Sequence, residues 1–94
     1  MSQKPESSFS KDSKYLPLHE FFANLPASTE SREVSFAEVE DVIGQPLPSG
    51  ARSHRAWWGN GWSGHSQSRA WLLAGWKMVG VDIEGEIASF QRLT

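Results

Sequence analysis

Five tryptophans, Trp57, Trp58, Trp62, Trp71 and Trp76, are crowded into one part of a 94-residue chain. A domain of this size buries only about 60% of the surface its extended chain exposes. Each tryptophan carries roughly 150–250 Å² of surface to bury. Such a cluster either fills most of a small core or forms a large stacking surface. Any fold for this chain must be organised around Leu47–Trp76, which reads LPSGARSHRAWWGNGWSGHSQSRAWLLAGW. The same stretch holds His54, His65, Arg52, Arg55 and Arg69, and nothing between Asp41 and Asp82 is acidic.

The formal net charge of −2 hides this segregation. Glu20, Glu30, Glu33, Glu38, Glu40 and Asp41 precede the acid-free window, which itself carries Arg52, Arg55, Arg69 and Lys77. A molecule with one acidic and one basic face is expected. There is no cysteine, so disulfides and thiolate metal sites are excluded. No apolar run approaches the roughly 20 residues of a membrane span, and no export signal is visible at the N-terminus. A cytoplasmic protein with no membrane partner is expected.

Residues 1–14, MSQKPESSFSKDSK, are too polar to offset their ordering entropy and are expected to form a disordered tail. Residues 15–94 form a single domain on this reading. Leu18, Phe21, Phe22 and Leu25 make one helical stripe between Pro17 and Pro26, with His19 off the stripe and solvated. Residues 32–36 suit a short strand. Ser35 and Glu38 have capping-box spacing for a helix running through Ile43, with Gly44 as its left-handed terminator. On that helix Glu38, Glu40 and Asp41 are expected to face water. Ser49 can cap a short helix from Gly50 to about Trp58, and Gly59, Asn60 and Gly61 break it. A further helix is expected over residues 66–74, ending at Gly75. The chain closes on a β-hairpin with Glu84-Gly85 as a two-residue turn. That register puts Val79, Val81, Ala88 and Phe90 on one face, and Met78, Asp82, Ile87, Ser89 and Gln91 on the other.

This order, helices and a short strand followed by a hairpin, indicates an α+β class and a small winged-helix-like domain. The 66–74 helix would then enter a major groove, and the hairpin would be the wing. The acids Asp82, Glu84 and Glu86 at its tip are poorly suited to touching phosphates.

Leu47-Pro48-Ser49-Gly50-Ala51-Arg52, Trp57-Trp58-Gly59-Asn60, His65-Ser66 and Trp71-Leu72-Leu73-Ala74-Gly75-Trp76 together form a distinctive pattern. It resembles a family of small, largely uncharacterised prokaryotic domains. Phe36-Ala37-Glu38-Val39-Glu40 and Phe90-Gln91-Arg92 look similar too, so the resemblance spans roughly residues 15–92. Gly50 departs from the pattern, which has serine there. The resemblance implies a stand-alone or fused module of bacterial and mobile-element proteins, some of them near DNA-processing enzymes.

Aromatic surface interleaved with Arg, His, Asn and Ser suits an anionic, stackable partner. Nucleic acid is the expected one, DNA before RNA. Arg52, Arg55, Arg69 and Lys77 would contact phosphates. Asn60, His65, Ser66 and Gln67 would reach phosphates or base edges. One of Trp57, Trp58 and Trp62 would stack on a base, worth about 1–3 kcal/mol. Each of these residues has a plainer place: Arg52 and Arg55 in ion pairs with the acidic helix, Asn60 in a turn, His65 as a cap, the tryptophans in the core. The alternative function is a protein-interaction or inhibitor module of a phage, plasmid or bacterial complex, since Trp and Arg also anchor protein interfaces. Catalysis is not expected, because the segment has no carboxylate to orient His54 or His65, and a phosphodiesterase using these with Arg69 ranks last. No cofactor and no metal site are expected, two histidines being an incomplete zinc set.

Overall fold

The computed structural model describes residues 13–61 and 66–93. Helix α1 (Leu16–Ala23) is followed by strand β1 (Ser31–Ser35), helix α2 (Phe36–Ile43), helix α3 (Ser49–Ser53) and a 3₁₀ turn (Arg55–Trp58). Helix α4 (Ser66–Leu72) then leads into strands β2 (Trp76–Asp82) and β3 (Ile87–Arg92). The result is a small α+β fold. Apart from Ser13 and Lys14, the expected tail lies outside the described residues.

Helix α1 buries Leu18 and Phe22, as their spacing requires, and packs on α4 and α2. It stops at Ala23, before the stripe ends at Leu25. Pro26 disfavours helical backbone in the residue ahead of it. His19 is not solvated as expected. Its Nδ1 donates to the Ala70 carbonyl at 3.1 Å and ties α1 to α4.

Helix α2 starts as the sequence predicts. The Ser35 hydroxyl accepts the Glu38 N–H at 3.0 Å, a cap worth about 1 kcal/mol. Glu38 does not complete the capping box, because its carboxylate takes Arg32 at 2.6 Å instead. Gly44 ends the helix at φ 77. The expected helix over 50–58 is two pieces. Its N-cap residue is Pro48 rather than Ser49, and His54, with φ −131 and ψ 118, is extended and breaks the helix from the 3₁₀ turn.

The three strands are antiparallel in the order β1-β3-β2. In the hairpin, Val81 pairs with Ala88 as expected. Beyond that pair the register slips: Gly80 pairs with Ser89 but Met78 with Phe90, so Val79 is an extra, bulged residue. The bulge reverses the expected positions of Val79 and Met78. Val79 is 53% exposed, and Met78 packs against the core. The turn is also longer than expected. Four residues, Ile83 to Glu86, separate the last paired positions, and the positive φ of 57 falls on Glu86. The Asp82 carboxylate holds the turn by accepting the Gly85 N–H at 2.9 Å.

The core is a run of aromatic rings between the sheet and the helices. Phe36 stacks on Trp58 (centroids 4.9 Å) and Trp58 on Trp71 (6.1 Å). Trp71 meets Phe90 edge-on (5.1 Å), Phe90 meets Phe22 (4.6 Å), and Phe22 meets Trp76 (5.8 Å). Pairs of this kind add about 0.5–1.5 kcal/mol each to the burial itself. Among the described residues, the other face of the sheet is covered by no helix. Ser31, Glu33, Ile87, Gln91 and Val79 all lie exposed there.

Candidate functional site

The sequence motifs converge on one corner, where α3, the 3₁₀ turn, α4 and the start of β2 meet. Most of their conspicuous side chains are turned inward. Trp58, Trp71 and Trp76 are each 0% exposed, so none of the three offers a ring to a ligand. Trp58 Nε1 donates to the Ala51 carbonyl at 2.8 Å, which satisfies the indole inside the core. Trp76 lies under the Arg92 guanidinium, 4.6 Å from the ring centroid. Arg92 in turn bonds the carbonyls of Thr29 (2.8 Å) and Pro26 (2.7 Å).

Asn60 is the bolt of this corner. Its Oδ1 accepts both Trp71 Nε1 and the Met78 N–H at 2.9 Å, and its Nδ2 donates to the Met78 carbonyl at 2.8 Å. The amide thus pairs with the outer edge of β2 as a neighbouring strand would. This covers an edge that would otherwise present unpaired backbone groups. Gln67, 7% exposed, donates to the Trp57 carbonyl at 3.1 Å, and buried Ser68 donates to the Gly61 carbonyl. The amides expected to reach phosphates or base edges therefore bond β2, the Trp71 indole and the 3₁₀ turn within the fold.

Arg52 is likewise engaged within the fold. Its guanidinium bonds Glu40 at 2.8 Å and Glu86 at 2.6 Å. Glu40 also accepts the Leu47 N–H at 2.8 Å. The Arg52 hydrogen bond, followed by the Leu47 amide, holds the Glu40 carboxyl below its ordinary range, and the two carboxylates raise Arg52. The acids expected to face water, Glu38 and Glu40, are half-buried partners of Arg32 and Arg52. This triad joins α2, α3 and the hairpin turn.

Arg55 and Lys77 remain exposed, together with His54. Trp57 is half-buried, edge-on to Trp58 at 4.8 Å and to Tyr15 at 6.2 Å. Lys14, not singled out by its sequence context, sits 5.2 Å over the Tyr15 ring and so joins the same corner. Burial raises the Tyr15 phenol above its usual range. Arg69 is half-buried on α4. Trp62, His65 and the Ser66 side chain lie outside the described residues. Helix α4 itself is not laid open for a groove: Gln67, Ser68, Ala70, Trp71 and Leu72 are all buried. Among the described residues, no three acidic or histidine side chains converge as metal ligands, and no helix is long and apolar enough to cross a membrane.

The model of one domain family, described as a domain of unknown function (DUF7662), matches residues 15–93. Neither the curated proteins nor the solved structures gave a match.

Proposed function

The chain belongs to this domain family, DUF7662, and we propose that it is a nucleic-acid-binding module that grips the phosphate backbone rather than stacking on bases. The observation that carries this reading is a set of exposed cations, two of which, Arg55 and Lys77, lie on an acid-free part of the chain. Arg55 projects from the 3₁₀ turn and Lys77 from β2, which pack on one another, and Lys14 reaches the same corner through Tyr15 and Trp57. The sequence around Arg55 and Lys77 has no acid between Asp41 and Asp82. The element order and the β1-β3-β2 sheet support a winged-helix-like arrangement. In this proposal the buried α4 is its scaffold, and the neighbouring 3₁₀ turn and β2 edge meet the phosphates. Half-buried Trp57 is the remaining ring that a base could touch. DNA is the preferred partner, on the context that the family resemblance implies.

Three phosphate contacts release about three counterions. A log–log salt slope of about −3 for duplex and about −2 for single strands follows. The test is fluorescence anisotropy of labelled duplex DNA, single-stranded DNA and RNA across a salt series. Lys77→Ala is expected to flatten the slope by about one. Arg52→Ala is expected to lower thermal stability without changing the slope. An absence of binding at low salt, or a slope indifferent to both Arg55→Ala and Lys77→Ala, would refute the proposal.

A further inference from the structure

The sheet face that no described helix covers gathers the large apolar side chains left exposed among the described residues: Val79, Ile87 and Leu93. Ile87, Ser89 and Gln91 alternate along that side of β3, the central strand. Leu93, whose N–H donates to the Gly75 carbonyl at 2.7 Å, continues the alternation. Ile87 and Leu93 therefore stand at the two ends of the central strand. Val79 stands to one side, lifted out by the bulge, next to a groove of about 410 Å³ that Ser31, Glu33, Ser89 and Gln91 also border. Gly80 adds no side chain beside it, and a Cβ built there would meet nothing within 4 Å.

Both signs of charge are present on this face, on opposite sides of β3. Lys77, Gln91 and Ser31 make one row across the sheet, and Gly80, Ser89 and Glu33 make the next. Lys77 is thus exposed on the β2 side and Glu33 on the β1 side. Arg32 also borders the groove, with its guanidinium held by Glu38 at 2.6 Å. Asp82, at the far end of β2, accepts the Gly85 N–H at 2.9 Å and serves the hairpin turn. A cation on one flank and a carboxylate on the other match neither a uniformly basic nor a uniformly acidic partner. They match the same face turned about a two-fold axis that runs along β3.

We infer that this face is a two-fold interface with a second copy of the chain. With the axis along β3, β2 of each copy lies over β1 of the other. Ile87 and Leu93 meet their own counterparts on the axis, Val79 enters the groove of the other copy, and Lys77 reaches the partner's Glu33. Each patch meets the same patch, as a two-fold dimer requires. Two sheets pack in this way about 10 Å apart, with their strands within about 30° of one another. Three strands spaced about 4.8 Å apart, rising about 3.3 Å per residue, cover roughly 350 Å² per copy. That is well under the ~800 Å² per partner of a standard interface, so the dimer is weak and forms at high concentration. Lys77 also borders the basic corner. In a dilute DNA titration the chain is monomeric and Lys77 is available to phosphates.

The test is sedimentation equilibrium of the full chain from about 10 μM to about 1 mM, the range of weak complexes. The average mass is expected to rise towards that of two chains. Ile87→Lys sets two cations against each other on the axis and should weaken the dimer about tenfold. Lys77→Glu and Glu33→Lys each bring like charges together and should weaken it about fivefold. The double variant Lys77→Glu/Glu33→Lys restores opposite charges and should return to within about twofold of the parent. Arg55→Ala should leave the association unchanged, so failure here is separable from failure of the nucleic-acid proposal. Near-ultraviolet dichroism of the core tryptophans checks that each variant is folded. A chain that stays monomeric across the whole range would overturn the inference. So would association that folded Ile87→Lys leaves intact, or a loss in the single charge variants that the double variant does not recover.

Discussion

The tryptophan-rich corner and the open sheet face are opposites in sequence and in structure. The corner is built from rare, chemically rich residues, and nearly all of them are consumed internally: Trp58 by the Ala51 carbonyl, Asn60 by β2 and Trp71, Arg52 by two glutamates. The sheet face is built from Ser31, Glu33, Ser89 and Gln91, residues that attract no notice, and it is the part left open. In so small a domain each large side chain is needed for burial, so a conspicuous motif more readily marks how the chain packs than what it binds.

The sharpest way to break this contrast is Trp58→Ala. A ring stacked between Phe36 and Trp71 should cost about 3–5 kcal/mol on removal, read from a denaturant melt. A near-neutral result would mean that the ring is not in the core. Asn60→Ala comes next. It strips partners from the Met78 backbone and the Trp71 indole, and about 1–3 kcal/mol should be lost. Gly44→Ala forces a side chain into φ 77 and should cost about 1–2 kcal/mol.

The Arg52 triad predicts a pH effect of smaller size, because its members are partly exposed. The folded-state pKa of Glu40 lies below its unfolded value. Its contribution is therefore complete above the ordinary glutamate range, about pH 4.3, and is lost as pH falls through the folded value. Glu40→Gln should flatten the acid limb of a stability–pH curve and leave its shape near neutrality unchanged. Smallest of all is Val79→Thr, on the open face, which should shift stability by no more than about 0.5 kcal/mol.

Much of the fold was legible because local rules govern it. The Ser35 cap, the Gly44 terminator, the α1 stripe and the Val81–Ala88 pairing follow from spacing and turn chemistry. The misplacement of Val79 had a different cause. A bulge adds one residue to one strand, and alternation of apolar residues reads the same until the slip occurs. Gly80 was its signal, since glycine within a strand marks bulges. The site was less legible than the fold. Whether Arg52 faces solvent or Glu40 depends on where α3 is brought relative to α2, and the ion pair between them is a tertiary contact that spacing along the chain does not encode. Arg55, three residues further on, is exposed.

The central claim is that the tryptophan motif is interior and that binding belongs to the side chains around it. Hydrogen exchange of the indole N–H groups, followed by NMR, tests it most directly. Trp58 and Trp71, buried and bonded to Ala51 and Asn60, are predicted to exchange only by opening of the whole domain. Half-buried Trp57 should exchange far faster. Rapid exchange of Trp58 and Trp71 in the folded protein, slowed on adding DNA, would contradict the account and return those rings to a binding surface.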